Sequence, residues 1–240
     1  MKTHMPYGME IVDNCATCPL RKKGFFCCLS NDCLGAFEKV KFTSSYPAEA
    51  VLFVEGQVPR GIYMLCSGRV KLTMTAQDGK TIIVRVAEAG ELLGLQSAIS
   101  GEVHELTAET LQPCQVDFVR RDDFTKLLRE QPEVAANTIQ QFGNYYRGAC
   151  QQIRYLGLTT SANEKLASFL LESAIRGQET QQGVRFNLSL THEEIAQVVG
   201  LTRETVTRGF SEFKSLNLIS TKGPTVLIRN KTGLEVMASA

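Results

Sequence analysis

The sequence predicts an α+β chain: short strands that close a β-roll, one long helix, and two closely spaced helices followed by a terminal hairpin. Three patterns predict it. Short β-rich runs separated by glycine turns fill about 42–119, apolar residues recur at helical steps from about Asp122, and THEEIAQVVGLTRETVTRGF sets two helices around one glycine. A chain of 240 residues holds one large or two modest domains at roughly 100–200 residues each. Hydrophobic residues at 43% exclude wholesale disorder, and 26 Lys+Arg against 25 Asp+Glu exclude a polybasic scaffold, so any nucleic-acid contact must be local. No apolar run approaches the roughly 18 residues that span a bilayer, and MKTHMPYGMEIVDNC lacks the apolar stretch of a signal peptide. The expected compartment is the cytoplasm, with no membrane partner.

Residues 1–33 are a cysteine-rich arm. Its CATCPLRKKGFFCC is broken by Pro19 and Gly24, and five of the eight cysteines fall between Cys15 and Cys33. Eight cysteines are too few and too unevenly placed for a disulfide framework, and in a reducing compartment such a cluster points to metal binding or redox chemistry. A short helix follows, capped by Ser30 or Asn31, with Cys33, Leu34, Phe37 and Val40 on its apolar side.

The roll, 34–121, is predicted from VLFV, IYMLC, RVKLTMT, TIIVRVA and CQVDFV, with Asp78-Gly79 as a tight primed hairpin turn. In 122–157, Ala135, Ile139, Phe142, Tyr146, Ala149, Ile153 and Leu156 step by 4, 3, 4, 3, 4 and 3. That stripe suits a two-stranded coiled-coil contact between two copies of the chain, or an ordinary helix packed on its own domain. Pro132 precedes it and Gly157 ends it.

The last region, 158–240, is predicted to be a winged helix-turn-helix. ANEKLASFLLESAI is an amphipathic helix. Thr191 and Glu194 form a capping box at the start of the next, Gly200 allows the turn, and Thr202 caps the second helix, whose inner face is Val206, Phe210 and Phe213. The outer face near its N-terminal end carries Arg203, Glu204, Thr207 and Arg208. A recognition helix meets base edges there, and the chemistry suits it: Arg donates twice to guanine, Glu accepts from cytosine, Thr meets a base edge or a thymine methyl. The hairpin LISTKGPTVLIRN turns at Lys222–Pro224, and Lys222, Arg229 and Lys231 on or near it suit phosphates.

Over about 34–235 the chain resembles the bacterial family of transcription regulators that includes the cyclic AMP receptor protein and the fumarate and nitrate reduction regulator. VEGQVPRGIYMLCSGRVKL, AGELLGL, the single long helix and LTHEEIAQVVGLTRETVTRGFSEFKSLNLI carry the resemblance, in that order. It implies a homodimer rather than an enzyme, with a cyclic-nucleotide-binding-type roll controlling two winged helices through a dimerisation helix. The implied partners are palindromic double-stranded DNA and RNA polymerase. The family's E-x-x-x-R falls on Glu204 and Arg208; Arg203 matches the cyclic AMP branch and Thr207 the oxygen-responsive one, leaving GTGA-like and TTGA-like half-sites both open.

The nucleotide-binding branch has a Glu after the glycine of the turn and an Arg some ten residues on. Here Leu95 and Gln96 follow Gly94, and His104 and Glu105 stand where the Arg pair should be, so cyclic AMP is not expected to bind and His104 is expected in a solvated loop. The oxygen-responsive branch holds a [4Fe-4S] cluster with a C-x2-C, a third nearby Cys and a fourth on the strand after the pocket. By that resemblance the metal ligands are Cys15, Cys18, Cys27 and Cys114; Cys114 also shares an alternation face with Val116 and Phe118, which leaves a buried core cysteine as the other reading of that position. The eight-residue gap from Cys18 to Cys27 is longer than the family pattern, and Cys28 or Cys33 also stands near enough to be third; Cys27 is preferred because Phe25-Phe26 precede it. Cys66 and Cys150 are expected to be structural. The alternatives keep the DNA function but make the arm a zinc site or a dithiol–disulfide switch, or place another small effector in the roll.

Overall fold

The computed structural model describes residues 6–21, 26–159 and 161–239. They fall into two compact units, Met1–Gly148 and Ala149–Ala240.

In the first unit, helix α1 (Asn31–Glu38) follows the arm. Its N-cap is Ser30, whose hydroxyl accepts from Cys33 N, and its buried side carries Cys33, Leu34 and Phe37. Eight strands follow: β1 (Lys41–Tyr46), β2 (Val51–Phe53), β3 (Gly61–Ser67), β4 (Arg69–Thr75), β5 (Thr81–Glu88), β6 (Leu92–Leu93), β7 (Thr107–Thr110) and β8 (Cys114–Arg120), with the short helix α2 (Leu95–Ser100) between β6 and β7. They make two antiparallel sheets, ordered β1-β8-β3-β6 and β2-β7-β4-β5. Apolar side chains alternate along each strand, so one core fills the roll (Phe53, Leu65, Val70, Leu72, Leu93, Val116). A second lies on the outer face of the β8-containing sheet, where Ile62, Met64 and Val119 meet Leu34, Phe37, Phe124 and Val134.

Two expectations need correction here. Asp78-Gly79 does sit in the β4–β5 hairpin, but only Gly79 has positive φ, and Thr75 pairs with Thr81 across a longer loop closed by Ala76 and Lys80. This is a turn ending in a left-handed glycine rather than a two-residue primed turn. Nor is 122–157 one helix. Gln131 is extended, as a residue before proline prefers to be, and separates α3 (Arg121–Glu130) from α4 (Pro132–Ile153); a π-helical turn, Arg154–Leu158, follows α4.

The second unit contains α5 (Ala162–Ser173), β9 (Gln178–Thr180), β10 (Gly183–Asn187), α6 (His192–Val199), α7 (Arg203–Ser215), β11 (Ile219–Lys222), β12 (Thr225–Ile228) and α8 (Lys231–Ala238). The sheet runs β11-β12-β10-β9. Its core gathers Leu166 and Leu170 of α5, Ile195 and Val199 of α6, Val206, Phe210 and Phe213 of α7, and Val226 and Ile228 of β12.

Candidate nucleic-acid interface and cysteine pocket

Local bonds build the helix pair. Glu194 N donates to Thr191 Oγ1 (3.2 Å) and Thr191 N donates to Glu194 Oε2 (2.8 Å), closing the capping box around the start of α6. Gly200 ends the helix at φ +68°, the left-handed conformation that favours glycine. Thr205 N then donates to Thr202 Oγ1 (3.2 Å), starting α7. With Val206, Phe210 and Phe213 buried, Arg203, Glu204, Thr207 and Arg208 stand exposed together.

The exposed group is preorganised. Thr207 donates to the Arg203 carbonyl (2.9 Å), so its oxygen is left to accept from His192 Nδ1 (2.9 Å), whose ring lies 5.0 Å from that of Phe210. Sequence reasoning missed His192; only its place after the capping Thr191 hinted at it. Burial, with Lys214 and Arg203 nearby, holds the His192 pKa below its ordinary value. Glu204 is held below the usual carboxylate range by its own backbone N–H and the Thr202 hydroxyl, aided by Arg203 and Arg208, so it presents an acceptor at neutral pH. On the hairpin, Gly223 turns the chain at φ +57°; Arg229 Nε donates to Ser220 Oγ (3.1 Å), Lys231 lies 3.9 Å from Glu235, and Lys222 is exposed.

Long-range bonds hold the arm. The buried Gln115 amide receives Val12 N (2.9 Å) and donates to Val12 O (2.7 Å); Lys41 donates to Asp13 O (2.9 Å), and Cys15 N donates to Glu38 Oε1 (2.6 Å). Lys41 Nζ also reaches Asp117 Oδ2 at 2.9 Å in a pair that is almost wholly buried, and lies 3.6 Å from Cys15 Sγ. Thus pinned, the arm brings Cys15, Cys18 and Cys27 to one largely apolar cavity, which Leu34, Phe37, Met64, Cys66 and Asp117 also line. Cys28 is exposed. Phe25 and the side chain of Phe26 lie outside what the structure describes.

The structure does not bring Cys114 to that cavity. Along β8, Cys114, Val116 and Phe118 alternate with Gln115 and Asp117, so Cys114 faces the inside of the roll while the arm sits on the outer face. Its thiol donates to the carbonyls of Gln112 (3.1 Å) and Arg69 (3.4 Å) within the roll core. The cysteine that does line the cavity from the sheet is Cys66, which had been expected to be structural. Cys33 is buried on α1, its thiol donating to Gln131 Oε1 (3.3 Å).

All eight cysteines are free thiols, and among the described residues no three His, Cys, Asp or Glu side chains converge on a single ion position. The sulfurs ring a cavity rather than a point. Burial pushes the Cys27 thiol up to about 12, and the neighbouring Cys18, Cys15 and Cys28 add to the effect. Burial also raises Cys15 against the pull of Lys41, and raises Cys66 beside Asp117. Crowded thiols in an apolar pocket resist ionisation unless a cation enters with them. Soft sulfur donors, a dry wall and a backbone N–H from Leu20 to Cys18 Sγ (3.4 Å) together fit an iron–sulfur group.

Residues 43–131 match the model of the cyclic nucleotide-binding domain and 164–237 that of the Crp-like helix-turn-helix domain. The chain is 27% identical to the transcriptional activator protein FnrL of Cereibacter sphaeroides, across 89% of this chain and 86% of that one. It is 26% identical to the CRP-like cAMP-activated global transcriptional regulator of Mycobacterium tuberculosis, across 90% and 96%. The solved structure of FixK2 from Bradyrhizobium japonicum superposes with a TM-score of 0.74 at 26% identity, covering 84% of this chain and 98% of that one. The chain belongs to the CRP/FNR family of transcription regulators. It is therefore a DNA-binding regulator and not an enzyme.

Within this CRP/FNR roll, the expected solvated loop at His104 is a further correction. His104 is 3% exposed, stacks on Phe53 with centroids 4.0 Å apart, and shares a 2.6 Å hydrogen bond between Nδ1 and Ser97 Oγ. Gly94, at φ +70°, leaves room for it: a Cβ there would stand 3.1 Å from His104 Cε1. The imidazole occupies roll interior, and burial depresses its pKa. Gln96 and Glu105 bond to each other (2.5 Å), and that acidic residue would repel a phosphate.

On α4, one face packs inward in the first unit through Val134, Thr138, Gln141 and Tyr145, with Gln141 and Tyr145 both donating to Leu92 O. Of the predicted seam, Phe142 is half-buried against that core and Ala135 partly so, while Ile139 and Tyr146 are 71% and 75% exposed. In the second unit Ala149, Ile153 and Leu156 are exposed, Ile153 by 65%. No helix of the described chain is long and apolar enough to cross a membrane.

Proposed function

We propose that this regulator is a cytoplasmic homodimer that reads a palindromic site through α7 and is controlled by an iron–sulfur cluster, [4Fe-4S], bound by the arm thiolates Cys15, Cys18 and Cys27 and one further sulfur. One observation carries the sensory half: three arm cysteines meet at a single apolar cavity against the roll. A single zinc ion, with Zn–S near about 2.3 Å, would have to draw those sulfurs to a point, so the polynuclear group is the better match. Such a cluster would supply a centre that oxygen can oxidise or nitric oxide can nitrosylate, and that either can dismantle.

The chain's own residues do the rest. Gln115, Lys41 and Glu38 hold the arm in register, Leu34, Phe37 and Met64 keep water from the sulfurs, and Cys15, Cys18 and Cys27 give up their protons on binding. Ile139, Tyr146 and Ile153, large apolar side chains open to solvent at heptad spacing, supply a face for the second copy. Two copies related by a two-fold axis then present two α7 helices to half-sites one DNA turn apart, with RNA polymerase as the downstream partner. Arg203, Glu204 and Arg208 read base edges, and Lys222 and Arg229 meet phosphates.

The test is an anaerobic absorbance spectrum with iron, sulfide and zinc analysis, repeated after a pulse of air and on Cys15→Ala/Cys18→Ala. About four iron and four sulfide per subunit, bleaching in air and absent from the variant, is the expected result. A colourless protein that takes up no iron on reconstitution refutes the sensor. Replacing Arg203 and Arg208 by Ala should abolish specific DNA binding at a cost of about 2–6 kcal/mol, since each bidentate contact contributes about 1–3.

A further inference from the structure

We propose that the fourth sulfur of this centre comes from Cys66, at the β-bulge of β3, and not from Cys114; the inference rests on the iron–sulfur reading above. Three observations carry it. Cys66 lines the same cavity as Cys15, Cys18 and Cys27, and of the three cysteines carried by β3, β8 and α4 it alone does so. It is the extra residue of a bulge: Leu65 pairs with Val116 and Ser67 with Gln115, leaving Cys66 without a partner across the ladder. A bulge re-aims one side chain without disturbing the rest of the strand. Cys66 also belongs to the outer-face core that packs Cys15 and Cys27, whereas Cys114 belongs to the core inside the roll.

The alternative conflicts with the sheet itself. To reach the arm, Cys114 would have to cross to the other face of β8, which takes a one-residue slip of that strand. The slip would also turn Gln115 and Asp117 inward. It would break both amide bonds to Val12 and the buried pair with Lys41, the contacts that hold the arm against the roll. It would pull the Cys114 thiol away from Gly68, where a Cβ would already stand 2.4 Å from Sγ. Cys66 needs no such change. Its Sγ gives up one proton and ligates one iron, and Lys41, 3.6 Å from Cys15 Sγ, provides a cation near the added negative charge.

The experiment is anaerobic reconstitution of full-length wild type, Cys66→Ser and Cys114→Ser with ferrous iron and sulfide. It reads the absorbance band, iron per subunit and far-ultraviolet circular dichroism. Cys66→Ser should lose the chromophore and most of the iron while keeping its secondary structure, and Cys114→Ser should keep both. A Cys66→Ser protein that loads like wild type overturns the inference while leaving the iron–sulfur function standing; a wild type that takes up no iron removes that function and the inference with it. If both variants lose iron, alkylation of loaded and empty wild type decides. Cys66 protected only in the loaded form supports the assignment, and Cys66 labelled equally in both refutes it.

Discussion

The helix-turn-helix and the cysteine arm are both fixed by side chains bonding to backbone, but over very different lengths of chain. Thr191 to Glu194 and Thr202 to Thr205 span three residues each, while Val12 to Gln115 and Ser30 N to Glu133 span 103. The difference separates a part that carries its own geometry from one that borrows it. A reading head that must present the same side chains to every site gains from local caps. A sensor that must respond gains from contacts the roll can grant or withdraw, because segments held by few long-range bonds are those that open first.

Two core changes should separate the regions most strongly. Phe213→Ala empties the centre of the second unit and is expected to cost about 3–5 kcal/mol. Asp117→Ala strands the Lys41 ammonium against the sheet and is expected to cost a similar amount, about 3–5 kcal/mol, in the first unit. Calorimetry with hydrogen exchange read by unit checks both. Loss of protection confined to the mutated unit upholds the contrast, and loss spread evenly over both breaks it. A smaller change sharpens it: Gln115→Ala removes two hydrogen bonds to Val12, about 1–3 kcal/mol, and should expose the arm to protease without altering DNA affinity of the cluster-free chain. Thr191→Ala is smaller again. It should cost about 1 kcal/mol in the melting of the second unit and leave the arm's exchange rates unchanged.

The same contrast explains what the sequence made legible. The capping box, the Gly200 turn, the Thr202 cap and the exposure of Arg203, Glu204, Thr207 and Arg208 all follow from spacings of three and four, which a linear sequence displays. Strand β1 was not singled out, because KFTSSY carries few large apolar residues and is a strand mainly through its pairing with β8. The arm's cysteines were recognised as a group, but their sheet partner was not. That Cys114 shares a face with Val116 and Phe118 follows from alternation along its own strand, whereas the bulge at Cys66 exists only in the β3–β8 register. His104 differs for a similar reason: its loop looks polar, but Phe53, fifty-one residues earlier, stacks on the ring and Ser97 of the preceding helix bonds to it.

His104 provides the finest test of how far the roll interior is built for its own side chains rather than for a ligand. Burial depresses its folded-state pKa, so on acidification the unfolded chain takes the proton first. The stability due to neutral His104 is therefore fully present above the ordinary histidine value, near about 6.5, and is lost as pH falls through the lower folded-state pKa. Other groups titrate over the same range, so the informative quantity is the difference between wild type and His104→Gln. Melting of the first unit should fall more steeply from pH 7 to pH 5 in wild type than in the variant, at constant ionic strength. Parallel profiles would mean that the imidazole is solvated when the chain is folded, and that the roll interior is open to an effector after all.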